Sequence, residues 1–198
     1  MRVLAVDIGT TSLKMGIFDV KDQNTYTLVD SFSESYPLNT YTNPLWSDID
    51  SELWKTSFRH GCLAMKANLA EVESIGLSGT TPGFTPMDKD GNALHPSMLM
   101  FDQRSRIQAK RIIDTVGKDE ILRRTGNIPV AGGCSLSSLL WLRDTSDDID
   151  ARTACYGHSN TVIGAWLTGN FAIDPSSVSL FGLNDATKNN QQWDDDLL

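Results

Sequence analysis

Residues 2–8 are almost continuously apolar and alternate poorly, the pattern of a strand buried on both faces. Leu13, Met15 and Ile17 then recur at every second position, which predicts a second strand over residues 13–20. Lys21-Asp22-Gln23-Asn24 has turn chemistry, and residues 25–32 predict a third strand, so the chain opens as an antiparallel meander.

The period changes after residue 46. Ser47-Asp48-Ile49-Asp50 pairs a hydroxyl with a carboxylate three positions on, the signature of a helix start. Trp54, Phe58, Cys62, Met65 and Leu69 follow at helical spacing and predict one long amphipathic helix. Val72 to Ser78, Phe84–Met87 and Met98 to Phe101 predict strands, with a turn at Asp88-Lys89-Asp90-Gly91. Ala109, Ile112, Ile113 and Val116 mark a helix ending at Gly117. Leu136, Leu139 and Leu140 mark another, and Val162, Ile163 and Trp166 a third that stops at Thr168-Gly169-Asn170. Trp193 to Leu198 predicts the start of a further helix. Antiparallel strands followed by strands interleaved with helices indicate an α/β domain with a mixed sheet, with no internal repeat and no low-complexity linker.

Composition narrows the function classes. The chain has 198 residues, 40% hydrophobic and 21% charged, enough for one domain with a real core. No apolar run approaches the about 18 residues a membrane helix needs, and the N-terminal run is too short for a signal peptide. A net charge of −8 with no basic cluster argues against nucleic acid as a partner. Cys62, Cys134 and Cys155 are odd in number and lack metal-ligand spacing, so they are expected as reduced thiols in a cytoplasmic protein.

Within the meander sits "VDIGTTSLK", where the first strand gives way to Asp7, Gly9, Thr10, Thr11, Ser12 and Lys14. A tight turn of this composition leaves backbone N–H groups and hydroxyls free to face an anion. A carboxylate at the exit of a buried strand calls for a cation, and phosphate oxygens with Mg²⁺ answer both needs. Lys14 adds a point charge or simply faces solvent. The same residues also suit a polar hairpin with Asp7 capping the turn. Neither GxxxxGK[ST] nor GxGxxG occurs, which excludes a P-loop and a dinucleotide-binding Rossmann unit.

"DIGTTSLK" followed by a strand resembles the first phosphate segment of the actin-like ATPase superfamily. "PLWSDIDSELW", "IGLSGTTPGFTPMDKDGNAL", "HPSMLMFDQRS", "TGNIP" with "LLWL", and "WLTGNFAIDPSS" follow in the order found in FGGY carbohydrate kinases. The whole chain, residues 1–198, therefore resembles the N-terminal domain of an FGGY kinase of xylulokinase-like type. The resemblance implies a ribonuclease H-like domain with a mixed five-stranded sheet. It also implies a second, C-terminal kinase domain absent from this chain, carrying the Gly-Asp-(Asn/Gln) catalytic base and most of the adenosine pocket.

The implied reaction is transfer of the ATP γ-phosphate to a hydroxyl of a ketopentose or related polyol, with ATP and Mg²⁺ as cofactors. The resemblance assigns Gly9, Thr10, Thr11, Ser12 and Lys14 to the ATP phosphates and Asp7 to the metal. It assigns Thr80, Thr81, Pro82, Met100 and Asp102 to one wall of the sugar pocket. Xylulokinases usually show Met-His where this chain has Thr81-Pro82, glycerol kinases Arg-Glu, and many members have Trp where Met100 aligns. No catalytic base is assigned within the chain, and Asp174 and Asp185 lack the required glycine context. The chain alone is expected to be inactive, and a homodimer is possible through a surface left apolar by the absent domain. A non-catalytic actin-like nucleotide-binding or interaction module stands as the alternative.

Several other residues have ordinary readings. Trp46, Trp54, Trp141 and Trp166 suit packing better than sugar stacking. His60, His95 and His158 read as surface or loop residues, and Asp194-Asp195-Asp196 as a solvated helix start. Asp102 and Arg104 fit equally a substrate contact and a structural ion pair at a strand end.

Overall fold

A computed structural model describes residues 1–188 and 192–197. Three strands form the expected meander: β1 (Arg2–Ile8), β2 (Ser12–Asp22) and β3 (Thr25–Ser35). After β4 (Asp48–Ile49), α1 (Glu52–Ala64) and α2 (Lys66–Leu69), the chain returns as β5 (Ser74–Gly79). The main sheet has the order β3-β2-β1-β5, with β5 parallel to β1 and the other pairs antiparallel.

The mixed sheet therefore has four strands. The expected strands near residues 84–87 and 98–101 pair elsewhere. β6 (Thr85–Met87) joins β8 (Cys155–Gly157), and β7 (Ser97–Met98) joins β4. β7 stops at Met98, because Leu99 N–H turns to the Ser47 carbonyl at 2.9 Å and Met100-Phe101 forms a turn.

One face of the sheet carries the core. Leu4, Val6 and Ile8 of β1 and Leu13, Met15 and Ile17 of β2 point to it, and α1 covers it with Trp54 and Phe58. A Cβ at Gly61 of α1 would run into the Met15 sulfur and the Phe32 ring, so this glycine sets how closely helix and sheet approach. The opposite face corrects the expectation of a doubly buried first strand: Ala5 and Asp7 are exposed. On that face Gly76, Ala5, Gly16 and Ser31 lie side by side across all four strands. Burial on one side only is what true alternation of apolar and polar positions produces.

Two other expectations change at the helices. Asp48 does not start a helix; it lies in β4, fully buried, and α1 begins at Glu52 with its N–H bonded to Asp50 Oδ1 at 3.0 Å. The long helix breaks at Met65 (φ −96°, ψ 15°), which is itself buried.

Beyond β7 the chain is mostly helical: α3 (Arg106–Val116), α4 (Lys118–Thr125), α5 (Ser135–Thr145) and α6 (Asp147–Arg152). After β8 come α7 (Ser159–Thr168) and α8 (Pro175–Ser179). Gly117 and Gly169 end α3 and α7 at positive φ, 89° and 71°, as the sequence predicts. Val162 and Ile163 of α7 enter the same core as α1. The expected terminal helix is not formed among the described residues. Instead Asp194 is buried against Arg124, and Trp193 bridges to Asn184; Leu198 lies outside them. Among the described residues no helix is long and apolar enough to cross a membrane.

Candidate functional site

Two parallel strands end side by side, and the polar loops that leave them touch. In sheets of this kind ligands collect at the carboxyl ends of parallel strands. β1 ends at Ile8 and enters Gly9–Ser12; β5 ends at Gly79 and enters Thr80–Gly83. Thr80 N–H donates to the Ile8 carbonyl at 2.7 Å, and the Thr10 and Thr80 hydroxyls lie 3.2 Å apart. Ser159 at the start of α7 donates its hydroxyl to the Thr80 carbonyl at 3.2 Å. A Cβ at Gly79 would collide with the Ser159 hydroxyl, so glycine at residue 79 lets the start of α7 lie close against the end of β5.

The first loop is a turn closed by Gly9 N–H to the Ser12 carbonyl at 2.9 Å. A Cβ at Gly9 would stand 2.8 Å from that carbonyl oxygen. Among the described residues, neither the Thr10 nor the Thr11 N–H has a protein acceptor. Asp7 and Lys14 face each other across the β1–β2 pair on the open side of the sheet, 3.9 Å apart and more than half exposed. Lys14 also donates to the Ser12 hydroxyl at 3.1 Å. The placement of Asp7 changes the argument for its role. Its carboxylate faces solvent, so it needs no buried cation and is accessible to a metal ion.

A single exposed carboxylate beside unpaired amides and hydroxyls fits Mg²⁺ held with nucleotide phosphate, since Mg²⁺ takes one or two carboxylates and keeps several waters. The described residues hold no group of three metal-ligating side chains.

The second loop runs through a cis Thr81–Pro82 bond to Gly83, whose carbonyl accepts the Ser135 hydroxyl at 2.8 Å. Phe84 and Met98 exchange both backbone hydrogen bonds at 3.0 Å, which ties this loop to the segment carrying Met100. Thr81 and Pro82 are half-buried, and Met100 and Phe101 are exposed at 40% and 62%. Gly132 (φ 71°) backs that segment so tightly that a Cβ would strike the Met100 and Asp102 carbonyls.

Asp102 stands apart from this surface. It is fully buried, accepts Ser47 N–H at 2.8 Å and Arg104 N–H at 2.9 Å, and pairs with the Arg104 guanidinium at 2.7 Å. Arg104 bonds Asp48 as well, at 2.6 Å, and its guanidinium lies over Trp46 and Trp141 at 4.6 and 5.2 Å. Burial works against that charge, yet the bonds to Asp102 and Asp48 outweigh it and raise the guanidinium pKa. Of the two readings of Asp102, the geometry is that of the ion pair. Trp46 and Trp141 serve the same packing.

The remaining carboxylates set aside in the sequence are engaged. Asp174 accepts from Ser176, Ser177 and Asn160; burial resists its charge, but these bonds hold its pKa far below the usual range. Asp185, bonded by Lys188 and Thr187, is lowered to about 2. Only His60 among the histidines is a surface residue; His158 is fully buried at the start of α7, stacked on Phe181, and His95 is half-buried. Tyr36 and Ser159 are the residues at these loops that sequence pattern alone passes over.

A sequence model described as the FGGY family of carbohydrate kinases, N-terminal domain, matches residues 2–198. The chain is 27% identical over 202 residues to a xylulose kinase of Staphylococcus xylosus, covering 99% of this chain and 39% of that protein. It is 28% identical over 204 residues to a glycerol kinase of Thermococcus onnurineus, covering 99% and 40%. Its fold superposes on the crystal structure of a xylulose kinase from Rhodospirillum rubrum with a TM-score of 0.88 and 24% identity, over 100% of this chain and 40% of that one. The chain thus spans well under half the length of these relatives.

Proposed function

Since the chain belongs to the FGGY family of carbohydrate kinases, we propose that it forms the phosphate-side and one sugar-side wall of an ATP-dependent kinase for a small sugar or polyol. The observation that carries this reading is the Thr10–Thr80 contact, which joins a donor-rich turn to the loop that the family resemblance assigns to sugar.

In this reading the free Thr10 and Thr11 amides and the hydroxyls of Thr10, Thr11 and Ser12 hold phosphate oxygens. Lys14 adds a positive charge, and Asp7 holds Mg²⁺ directly or through its waters. Held there by Asp7, the metal would supply positive charge to offset the charge that develops in transfer. Thr81, Pro82 and Met100 shape the acceptor's position, with Thr80 linking them to the phosphate turn. Phosphoryl transfer needs alignment and charge neutralisation more than covalent help.

The base that takes the acceptor's proton is assigned outside these residues, because Asp102 and Asp174 are already occupied by protein donors. A ketopentose or a related sugar or polyol is the acceptor in this reading. Identities of 27% and 28% to a xylulose and a glycerol kinase do not separate the two classes, and Thr81-Pro82 matches neither pattern.

The test is titration of the ¹⁵N-labelled chain with Mg-ADP. Shifts confined to Gly9–Lys14 and Thr80 support the reading. Shifts elsewhere, or none at millimolar nucleotide, defeat it. The same chain mixed with Mg-ATP and a panel of ketoses and polyols is expected to release no sugar-dependent ADP.

A further inference from the structure

Four loop residues closed by one internal hydrogen bond do not fix their own peptide planes, so the orientation of the Gly9–Ser12 turn must come from outside it. The structure supplies that from Tyr36, the residue following β3. Its hydroxyl donates to the Gly9 carbonyl at 2.6 Å, and its backbone N–H donates to the Thr11 carbonyl at 3.0 Å. One residue therefore holds the two carbonyls on either side of Thr10.

The consequence follows from peptide geometry. In a planar trans peptide the C=O and the N–H point in opposite directions. Pulling the Gly9 carbonyl inward to Tyr36 turns the Thr10 N–H outward, where no protein acceptor meets it. We propose that Tyr36 is a positioning residue that aims the Thr10 amide at nucleotide phosphate; this rests on the phosphate reading of the turn. The side chain suits the task. Tyr36 is 6% exposed and its ring is part of the main core, so the hydroxyl is delivered from a fixed platform. Burial first, and then the nearby Asp7 charge, push its pKa far above the usual phenol range. The hydroxyl accordingly stays a donor at any working pH.

Tyr36→Phe removes the donor and keeps the ring. Two measurements on the 198-residue chain separate the outcomes. Without nucleotide, the Thr10 amide order parameter should fall from about 0.85 toward 0.6 or lower, while β1 and β2 stay rigid. With Mg-ADP, affinity should drop about tenfold, the equivalent of about 1.4 kcal/mol, at a nearly unchanged melting temperature. An unchanged order parameter, or unchanged affinity when the wild-type chain binds, overturns the clamp alone. Failure of the wild-type chain to bind Mg-ADP overturns the phosphate reading, and with it the purpose given to Tyr36. A global loss of stability in Tyr36→Phe, with Thr10 no looser than the strands around it, would make Tyr36 a core residue only.

Discussion

The Thr10 hydroxyl lies 3.2 Å from the Thr80 hydroxyl although 70 residues separate them in sequence. The turn assigned to phosphate and the loop assigned to sugar therefore share a hydrogen bond. A coupling of about 1 kcal/mol is expected from a neutral pair of this kind. In a cycle of Thr10→Val, Thr80→Val and the double variant, Mg-ADP affinities should deviate from additivity by about fivefold. Additivity within experimental error would mean the two loops are neighbours without communication.

Asp7 is exposed and paired only loosely, at 3.9 Å, with Lys14. Asp7→Asn should therefore leave folding stability within about 0.5 kcal/mol, as for a surface change. It should abolish the part of ADP affinity that depends on Mg²⁺ and leave metal-free ADP binding intact. In the proposed longer kinase the same variant should lower turnover by orders of magnitude. Calorimetric titrations with and without Mg²⁺ read the difference, and an undiminished Mg²⁺ effect would remove Asp7 from the metal's coordination.

Asp102 makes the opposite prediction. Removing one partner from a buried charged cluster leaves the other uncompensated, at a cost of about 3 to 5 kcal/mol. Asp102→Ala should lower the unfolding free energy read from urea titration by that amount, with Asp48→Ala close behind because Arg104 bridges both. A variant of near-native stability would return Asp102 to the candidate substrate contacts.

His158 sets a pH dependence. Ser135 gives its hydroxyl proton to the Gly83 carbonyl, so its oxygen accepts from His158 Nε2 at 3.0 Å, and Nδ1 is buried without a partner. Burial lowers the pKa to about 4, partly offset by Asp174. The unfolded chain, with the ordinary value near 6.5, then binds a proton that the folded chain refuses. Stability from this group is full above about pH 6.5 and disappears as the pH falls through about 4, a loss of about 3 kcal/mol. His158→Gln should flatten the stability curve in that window relative to wild type. Parallel curves would show that some other group controls the acid limb.

Thr81-Pro82 differs from the Met-His and Arg-Glu pairs that the family resemblance leads one to expect. Exchanging it for Met-His in the proposed longer kinase should change the ranking of ketoses against polyols in kcat/KM and leave the KM for ATP nearly constant. An unchanged ranking would make these residues scaffold.

Most of the fold is legible in the sequence, because strands with clean alternation and helices ending in glycine need only local rules. Leu13-Met15-Ile17, Gly117 and Gly169 are such cases. What escapes depends on distant partners. Asp48 lies inside the Ser47–Asp50 helix-start signal, and only Arg104, Tyr41 and Asn39, brought in from elsewhere, make it a buried strand residue. Asp7 sits in an apolar run, yet the pleat turns it to the open face, so the run alone misjudges its burial. Within the candidate site, the composition of Gly9–Ser12 signals donors for an anion. Tyr36 gives no such signal, because an aromatic at a strand end looks like any core residue until its hydroxyl is found on the Gly9 carbonyl.

Thr80 spends each of its polar groups on a different neighbour: its amide on Ile8, its hydroxyl on Thr10 and its carbonyl on Ser159. The loop after β5 is thus divided into an anchored stem and a tip that begins at residue 81. In the proposed reading, substitutions in the tip vary the shape offered to an acceptor without retuning the phosphate turn, whereas any change at the stem perturbs three elements together. For engineering, this makes residues 81 and 82 the places to diversify and residue 80 the one to leave alone. For descent, it offers a physical route by which one phosphate-handling frame could come to serve many sugars.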